Sequence, residues 1–363
     1  MLIDNMRIAA LLATLAVTAS TAHAINSKAS LVDVAKQPAV LARHAELAPV
    51  LAKLYHCSAT SLIPSPIGRM EIPHHYLNGS SGPTNPAEHA ATETYIHFES
   101  RVTAGMNRYL ATGDQAEANC ALEQLDAWAK GDALLNYDPT DSSQAWYQSE
   151  WTLASVGVAM TVLVNDPKLD PAAVQRVTAW LDKATNKLVS FERPGKDNNN
   201  HHYWRGQAAM SVGIVAKDKK LYDFGVTTYK QAVADIDERG AFPKEMARHE
   251  NAIHYQAFAL QPLMIIAQLA SRQGDDLFTY SANGRSIRDA VVFLGKAVDD
   301  PSLVKPYTSD PQKMGFRNGD LAVMAFYVTR FGTQGLSTAI VKAAAEPSFT
   351  SRSGGDMLLF TTK

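Results

Sequence analysis

From Glu88 almost to the end of the chain, apolar residues recur at three- and four-residue spacing, the repeat of a helix with one buried face. The pattern predicts helices near 88–111, 115–133, 143–164, 171–190, 203–216, 220–236, 247–270, 285–298 and 320–331. Turn-forming stretches separate them, among them Ala111-Thr112-Gly113-Asp114, Asn165-Asp166-Pro167, Arg193-Pro194-Gly195 and Ser271-Arg272-Gln273-Gly274. No convincing run of alternating strands appears. Short turns between helices of similar length bring neighbours together antiparallel. The expected fold is therefore all-α, with helical hairpins wound into a toroid or bundle. No linker divides the pattern, so residues 25–363 are expected to form one domain, and 46% apolar residues in a chain of 363 can supply its core.

The first 24 residues do not belong to that pattern. Arg7 precedes the apolar run Ile8–Val17, and Ala22-His23-Ala24 has the A-x-A form of a leader-peptidase site. The run is too short to span a bilayer permanently. A removed leader and a periplasmic protein with no membrane attachment are expected. The only two cysteines, Cys57 and Cys120, then favour a disulfide over a metal or redox site, with two buried thiols as the alternative. Between Ile25 and Pro86 a first helix is expected over Pro38–Tyr55. Breakers follow at Ile63-Pro64-Ser65-Pro66 and Asn78-Gly79-Ser80-Ser81-Gly82-Pro83, and Ile72-Pro73-His74-His75-Tyr76 lies between them as a candidate lid or binding loop.

Charge excludes some partners. Charged residues make up 19% and the formal net charge is -2, so nothing points to nucleic acid, and a polyanion would need a local basic groove. Chemistry-bearing residues concentrate in two places. Asp197-Asn198-Asn199-Asn200-His201-His202-Tyr203-Trp204 opens with amides that suit a turn or helix N-cap, and a small-residue apolar helix follows. Asn200, His201 and Trp204 are thus expected at a helix mouth, where side chains and free amides can meet an anion, although an Asn-rich loop capping a core helix is the more ordinary explanation of the octet alone. In the helix expected near 247–260, Arg248 and Tyr255 stand two turns apart and would share a face to within about 20°. His254 would point about 100° away, and Pro262 should disturb the helix after Leu260. No metal or cofactor is expected: His249-Glu250 lacks the second histidine of a zinc motif, and no phosphate loop, dinucleotide fingerprint or G-x-S-x-G elbow occurs.

Taken together, several stretches resemble the alginate lyases of polysaccharide lyase family five. They are Cys57 within His56-Cys57-Ser58-Ala59-Thr60, the run Cys120–Ala129, Gln144-Ala145 seven residues before Trp151, Asn199–Trp204, Arg248–Leu260 with Tyr255, and Arg352-Ser353-Gly354-Gly355. The resemblance implies an incomplete α/α toroid with a deep groove, a Cys57–Cys120 disulfide, and β-elimination of an anionic polysaccharide by a monomer. It carries the family's catalytic asparagine, histidine, arginine and tyrosine onto Asn200, His201, Arg248 and Tyr255. Trp204, His202, Arg205, His75, Tyr76, Gln144, His254 and Arg352 become the candidates to hold substrate. The family usually has serine at the place of His202, small residues at Arg205 and Gly206, and a lysine at His75.

Elimination across C4–C5 of a uronate removes a weakly acidic proton beside a carboxylate. Fixed donors must neutralise that carboxylate as charge develops, a task that suits Arg248 and Asn200 with His201. A tyrosine with its ordinary pKa near ~10 needs nearby positive charge to act as a base, which Arg248 would supply to Tyr255. In mannuronate and glucuronate the C5 hydrogen and O4 lie on one face, so one residue can serve both. Guluronate places them on opposite faces and needs a second base, for which His201 is the candidate. Mannuronate-rich alginate is the expected first substrate, with glucuronate polymers admitted through the altered His75, His202 and Arg205. The competing readings are a hydrolase using carboxylates among Asp197, Glu245 and Glu250, and a polysaccharide-binding protein without activity.

Overall fold

The structure is a computed structural model that describes residues 24–57, 61–78, 82–141, 143–193, 198–317 and 319–363. The expected leader and Asp197 lie outside the described residues, apart from Ala24. Fourteen α-helices occur among the described residues: α1 (Gln37–Leu41), α2 (Ala48–Ala52), α3 (Pro86–Thr112), α4 (Gln115–Lys130), α5 (Ser143–Leu163), α6 (Pro171–Ser190), α7 (Asn200–Ala216), α8 (Lys219–Ala234), α9 (Pro243–Met246), α10 (Ala252–Gln273), α11 (Ile287–Asp299), α12 (Met324–Phe331), α13 (Thr338–Ala345) and α14 (Leu358–Thr361).

Local sequence sets most of the helix ends. Asn85, Asp114, Asp170 and Asp218 each accept a backbone N–H in the first turn that follows, and proline stands at the start of α3 and α6, where its missing N–H costs nothing. Ser286 and Asp289 close a reciprocal capping box on α11. Two-residue links, Gly113-Asp114 and Lys217-Asp218, turn α3 into α4 and α7 into α8 as antiparallel hairpins, each through a left-handed residue.

Two layers result. Helices α5 and α7 are buried on nearly every side, and most of α10 is as well, as expected of helices that are apolar all round. They form an inner series in which α3 packs on α5, α5 on α7 and α7 on α10. Helices α4, α6, α8 and α11 each bury one face and lie outside, packed on α3, α5 and α7, α7, and α10 respectively. This is an α/α toroid. At the α7–α8 crossing, a Cβ on Gly206 would stand 2.5 Å from Thr228 Cγ2, and one on Gly225 would stand 2.7 Å from Met210 Cβ, so only hydrogen fits at either place. Trp128 stacks on Phe98 at 3.5 Å in the α3–α4 interface. Cys57 and Cys120 are joined by a disulfide, Cα–Cα 5.8 Å, which ties the early loop to α4. On the chain-entropy account a loop of this length contributes about 4 kcal/mol.

Several expectations need correction. The single helix over Pro38–Tyr55 is three pieces: α1, a 3₁₀ turn at Ala45–Leu47, and α2. Non-helical backbone at His44 (φ -101°, ψ 81°) and the missing N–H of Pro49 break it. Pro262 lies inside α10 without ending it, and the helix runs on to Gly274. Before α10 the chain is not one helix, because Ala247 and Arg248 follow the short α9 and His249 takes φ +55°. The late helices α13 and α14 were not expected. Nor were two short antiparallel ladders, β1 (Ser281–Ala282) with β2 (Arg285–Ser286) and β3 (Phe349–Thr350) with β4 (Gly355–Asp356). The second ladder is clamped to the inner helices: Asn107 Nδ2 donates to Gly354 O at 2.7 Å, Ser155 Oγ to Ser351 O at 3.0 Å, and Gln207 Nε2 to Arg352 O at 2.7 Å.

Candidate active site

Asn199, not Asn200, caps α7: its side chain accepts the His201 N–H at 3.0 Å. Asn200 and His201 therefore occupy the first helical turn, where backbone N–H groups lack partners within the helix. Glu245 of α9 answers part of that need, accepting Asn200 N–H at 2.6 Å and Nδ2–H at 2.9 Å. One amide hydrogen of Asn200 remains beyond that bond, and its buried Oδ1 has no hydrogen-bond partner among the described residues. Burial pushes the Glu245 carboxyl up, and the two bonds from Asn200 and the charge of Arg248 oppose it.

His201 is clamped by α5. Its Nδ1 lies 2.6 Å from Glu150 Oε1, and its ring stacks on Tyr147 with centroids 3.6 Å apart. Trp151, from the same face of α5, stands 5.8 Å away. The side chain keeps 14% of its surface exposed. Tyr255, in the first turn of α10, carries the Arg248 guanidinium 4.1 Å over its ring, and its hydroxyl is 3.5 Å from that of Tyr76. Arg248 Nε is buried without a hydrogen-bond partner among the described residues. Burial raises the Tyr255 pKa above its ordinary value by more than Arg248 lowers it, so the resting phenol keeps its proton. The expectation that the charge of Arg248 would suffice to ready Tyr255 as a base is corrected accordingly.

One bond and one chain of ring contacts tie these groups together. Asn200 meets Glu245 at 2.9 Å. His201 neighbours Trp151, which meets Phe258 at 6.4 Å, and Phe258 meets Tyr255 at 6.2 Å. Arg352 lies over Trp151 at 4.2 Å with its Nε 3.7 Å from Glu99 Oε2, and the clamped C-terminal ladder holds it there. His254 stacks on Phe258 and faces Asp320 at 4.0 Å; burial lowers its pKa. Tyr76 is carried by a loop that Asn85 secures: Asn85 N–H donates to His75 O at 2.8 Å and Nδ2–H to His74 O at 3.0 Å, while Oδ1 caps α3. His75 lies beside Tyr76 and points Nδ1 at Glu88, 3.2 Å away. Gln144 is half-buried in the first turn of α5, three residues before Tyr147.

Three residues expected to touch polymer are enclosed instead. Trp204 is fully buried, with its ring 5.2 Å from Phe258. Arg205 is 1% exposed; it donates to Glu150 and Glu192 and lies 3.9 Å over Trp146. His202 is buried between Glu192 at 3.1 Å and Gln231 at 2.9 Å. Position on α7 explains all three, because side chains two to five residues into an enclosed helix meet its neighbours and not solvent. Glu150, Tyr147 and Glu192 were missed as site partners. Their signal was present for α5, where Tyr147, Glu150 and Trp151 follow three- and four-residue spacing along one helical face. Of the carboxylates of the hydrolase reading, Asp197 lies outside the described residues, Glu245 is committed to Asn200, and Glu250 is paired with Lys313 at 3.1 Å.

Comparison with known proteins gives a consistent picture. The family profile described as alginate lyase matches residues 20–304. A polysaccharide lyase of Stenotrophomonas maltophilia (strain K279a) is 30% identical over 274 residues, 75% of this chain and 80% of that protein. An alginate lyase of Pseudomonas syringae pv. tomato is 30% identical over 232 residues, 62% of this chain and 60% of that one. Among solved structures, alginate lyase A1-III from Sphingomonas species A1 superposes with a TM-score of 0.84 at 39% identity, covering 94% of this chain and 98% of its own. A tyrosine-to-phenylalanine variant of A1-III complexed with tetrasaccharide gives a TM-score of 0.87 at 38% identity. A histidine-to-alanine variant, also with tetrasaccharide, gives 0.86 at 39%.

Proposed function

The chain belongs to the alginate lyase family, and from that premise we propose that this polysaccharide lyase cleaves 1,4-linked polyuronates by β-elimination with mannuronate-rich alginate as its first substrate. The observation that carries the reading is Tyr255: a buried phenol that retains its proton, under the Arg248 guanidinium and 3.5 Å from the Tyr76 hydroxyl. The tyrosine and histidine variants of A1-III held with tetrasaccharide support a tyrosine and a histidine as the residues that handle polymer here.

A protonated tyrosine suits elimination on one face of the sugar. Its oxygen accepts the C5 proton while its own hydrogen passes to O4. The C5–H electron pair becomes the C4–C5 double bond, the C4–O4 bond breaks, and the phenol begins and ends neutral. Mannuronate and glucuronate present proton and leaving group on one face, so both fit. The uronate carboxylate is neutralised by Arg248 and the second amide hydrogen of Asn200, with His201 as a further donor when its Nε2 carries a proton. Donors fixed in a buried site do most where charge develops. Guluronate, with its groups on opposite faces, needs His201 as a second base. Glucuronate polymers are the proposed secondary substrates.

The polymer is proposed to lie in a groove bounded by Tyr76, Trp151, Arg352 and His254. The mature protein is proposed to be a single-domain monomer of the periplasm, a setting in which the Cys57–Cys120 disulfide persists. Among the described residues no helix is long and apolar enough to cross a membrane.

The test follows ultraviolet absorbance of unsaturated uronate with polymannuronate, polyguluronate, polyglucuronate and hyaluronan, comparing wild type with Tyr255→Phe at matched folding. Polymannuronate should give the fastest rise, and the variant should lose about 1,000-fold or more, within the range of general acid–base catalysis. Polymer binding with no absorbance from any substrate would make the protein a binder and these residues binding contacts only.

A further inference from the structure

Behind His201 lies a buried polar cluster that the elimination chemistry does not use. Glu150, at mid-helix in α5, has no exposed surface, and its two oxygens meet different partners. Oε1 lies 2.6 Å from His201 Nδ1; Oε2 accepts Arg205 Nη1–H at 2.6 Å. Arg205 is held from three sides, by Glu150, by Glu192 through its Nε, and by the face of Trp146. A guanidinium can only donate. Arg205 therefore fixes which oxygen of Glu150 it uses and leaves the other for His201.

We propose that Glu150, oriented by Arg205, is a positioning residue that holds the proton of neutral His201 on Nδ1 and so makes Nε2 the lone-pair atom of the ring. The inference rests on the reading that His201 handles substrate, and it deepens that reading. With Nε2 unprotonated, His201 is prepared to act as the second base that guluronate requires. Carboxylates that accept from one ring nitrogen fix tautomer and ring orientation in this way. The ionisable groups that act on Glu150 come from three other segments: Arg205 of α7, Glu192 after α6, and Arg352 of the C-terminal ladder. Burial pushes the Glu150 carboxyl well above the usual range, with Arg205 opposing, so the proton position is read at the alkaline end of the titration, where the carboxyl is ionised.

A glutamine at 150 makes the arrangement testable. It has one oxygen, and Arg205 as a pure donor claims it. The amide NH2 is then turned to His201 Nδ1, which must accept. The proton moves to Nε2, with almost no change in side-chain volume. The experiment uses the full chain labelled with ¹⁵N-histidine, in wild-type and Glu150→Gln forms, with the His201 resonances assigned through a His201→Gln variant. The expected result is Nδ1–H in the wild type and Nε2–H in Glu150→Gln. Nε2–H in the wild type overturns the proposal, whether or not the variant folds. Nδ1–H in both proteins overturns the part given to Arg205.

An activity arm separates this inference from the reading beneath it. At that alkaline pH Glu150→Gln should lower kcat on polyguluronate about 100-fold or more with KM nearly unchanged, and on polymannuronate by less than about tenfold, because Tyr255 moves both protons of that substrate and needs no base at His201. A purely structural role would depress both substrates alike. Inversion of the tautomer without the substrate split would uphold the positioning and remove His201 from the role of base.

Discussion

One turn of α7 separates two buried polar regions that behave oppositely. On one side Arg205 and His202 are saturated, each between acceptors, with Trp146 covering the guanidinium. On the other, Asn200 Oδ1 and Arg248 Nε are equally buried yet have no hydrogen-bond partner among the described residues. Leaving a buried polar atom unmatched costs about 1–3 kcal/mol, which a bound group that pairs with it would return. Unmatched polarity alone does not mark a site, since the enclosed Trp204 Nε1 and Gln207 Oε1 are unmatched too; Asn200 and Arg248 are set apart by standing beside His201 and Tyr255. Residue type alone would have ranked the two arginines the same.

The comparison can be broken by exchanging the symptoms. Arg205→Ala strands Glu150 and Glu192 in the interior and should cost about 3–5 kcal/mol of stability, read by chemical denaturation. A loss under 1 kcal/mol would mean that the saturated cluster is not scaffold. Arg248→Ala should do the reverse: kcat/KM on polymannuronate falls about 100- to 1,000-fold, about 3–4 kcal/mol of transition-state stabilisation, while the denaturation midpoint hardly moves. Parallel losses in both quantities would erase the distinction.

The smallest effect comes from a third buried group, Asp356 in β4, which has backbone partners but, among the described residues, no cation beside it. Burial raises its pKa to about 6, with backbone bonds from Leu358 and Ser348 opposing. The folded chain thus holds this proton more tightly than the unfolded one. The stability so gained is complete below about pH 4 and is lost as pH rises through about 6. Asp356→Asn keeps the oxygen that accepts Leu358 N–H but cannot ionise. The variant should match wild type at pH 4 and exceed it at pH 7 by about 2–3 kcal/mol, from ~2 pKa units at 1.36 kcal/mol each. Equal stability at both pH values would show that Asp356 is solvated.

Much of the fold is legible in the sequence because amphipathic spacing reports one buried face. Helices α3, α4, α6, α8 and α11 fall close to their expected spans for that reason. The same signal fails inside α7. Buried on every side, it offers no face to read, so Trp204 and Arg205 looked like ligand contacts when they are enclosed. Arg248 and Tyr255 were placed together by assuming one helix. The chain instead brings Arg248 over the Tyr255 ring from the loop before α10, by way of a left-handed His249. Glu150 and Glu192 were invisible as partners because they reach Arg205 from other segments, 55 and 13 residues away. The C-terminal ladder and α14 are too short to carry a periodic signal.

Asn85 has a consequence for how the enzyme tolerates heat. One side chain both starts α3 and secures the backbone of His74, so the loop that sets the Tyr76 hydroxyl beside Tyr255 shares its anchor with a terminal helical turn. Terminal turns open long before a fold melts. Warming should therefore release the tyrosine while the toroid is still intact, and the working temperature range of this lyase should close below its melting point.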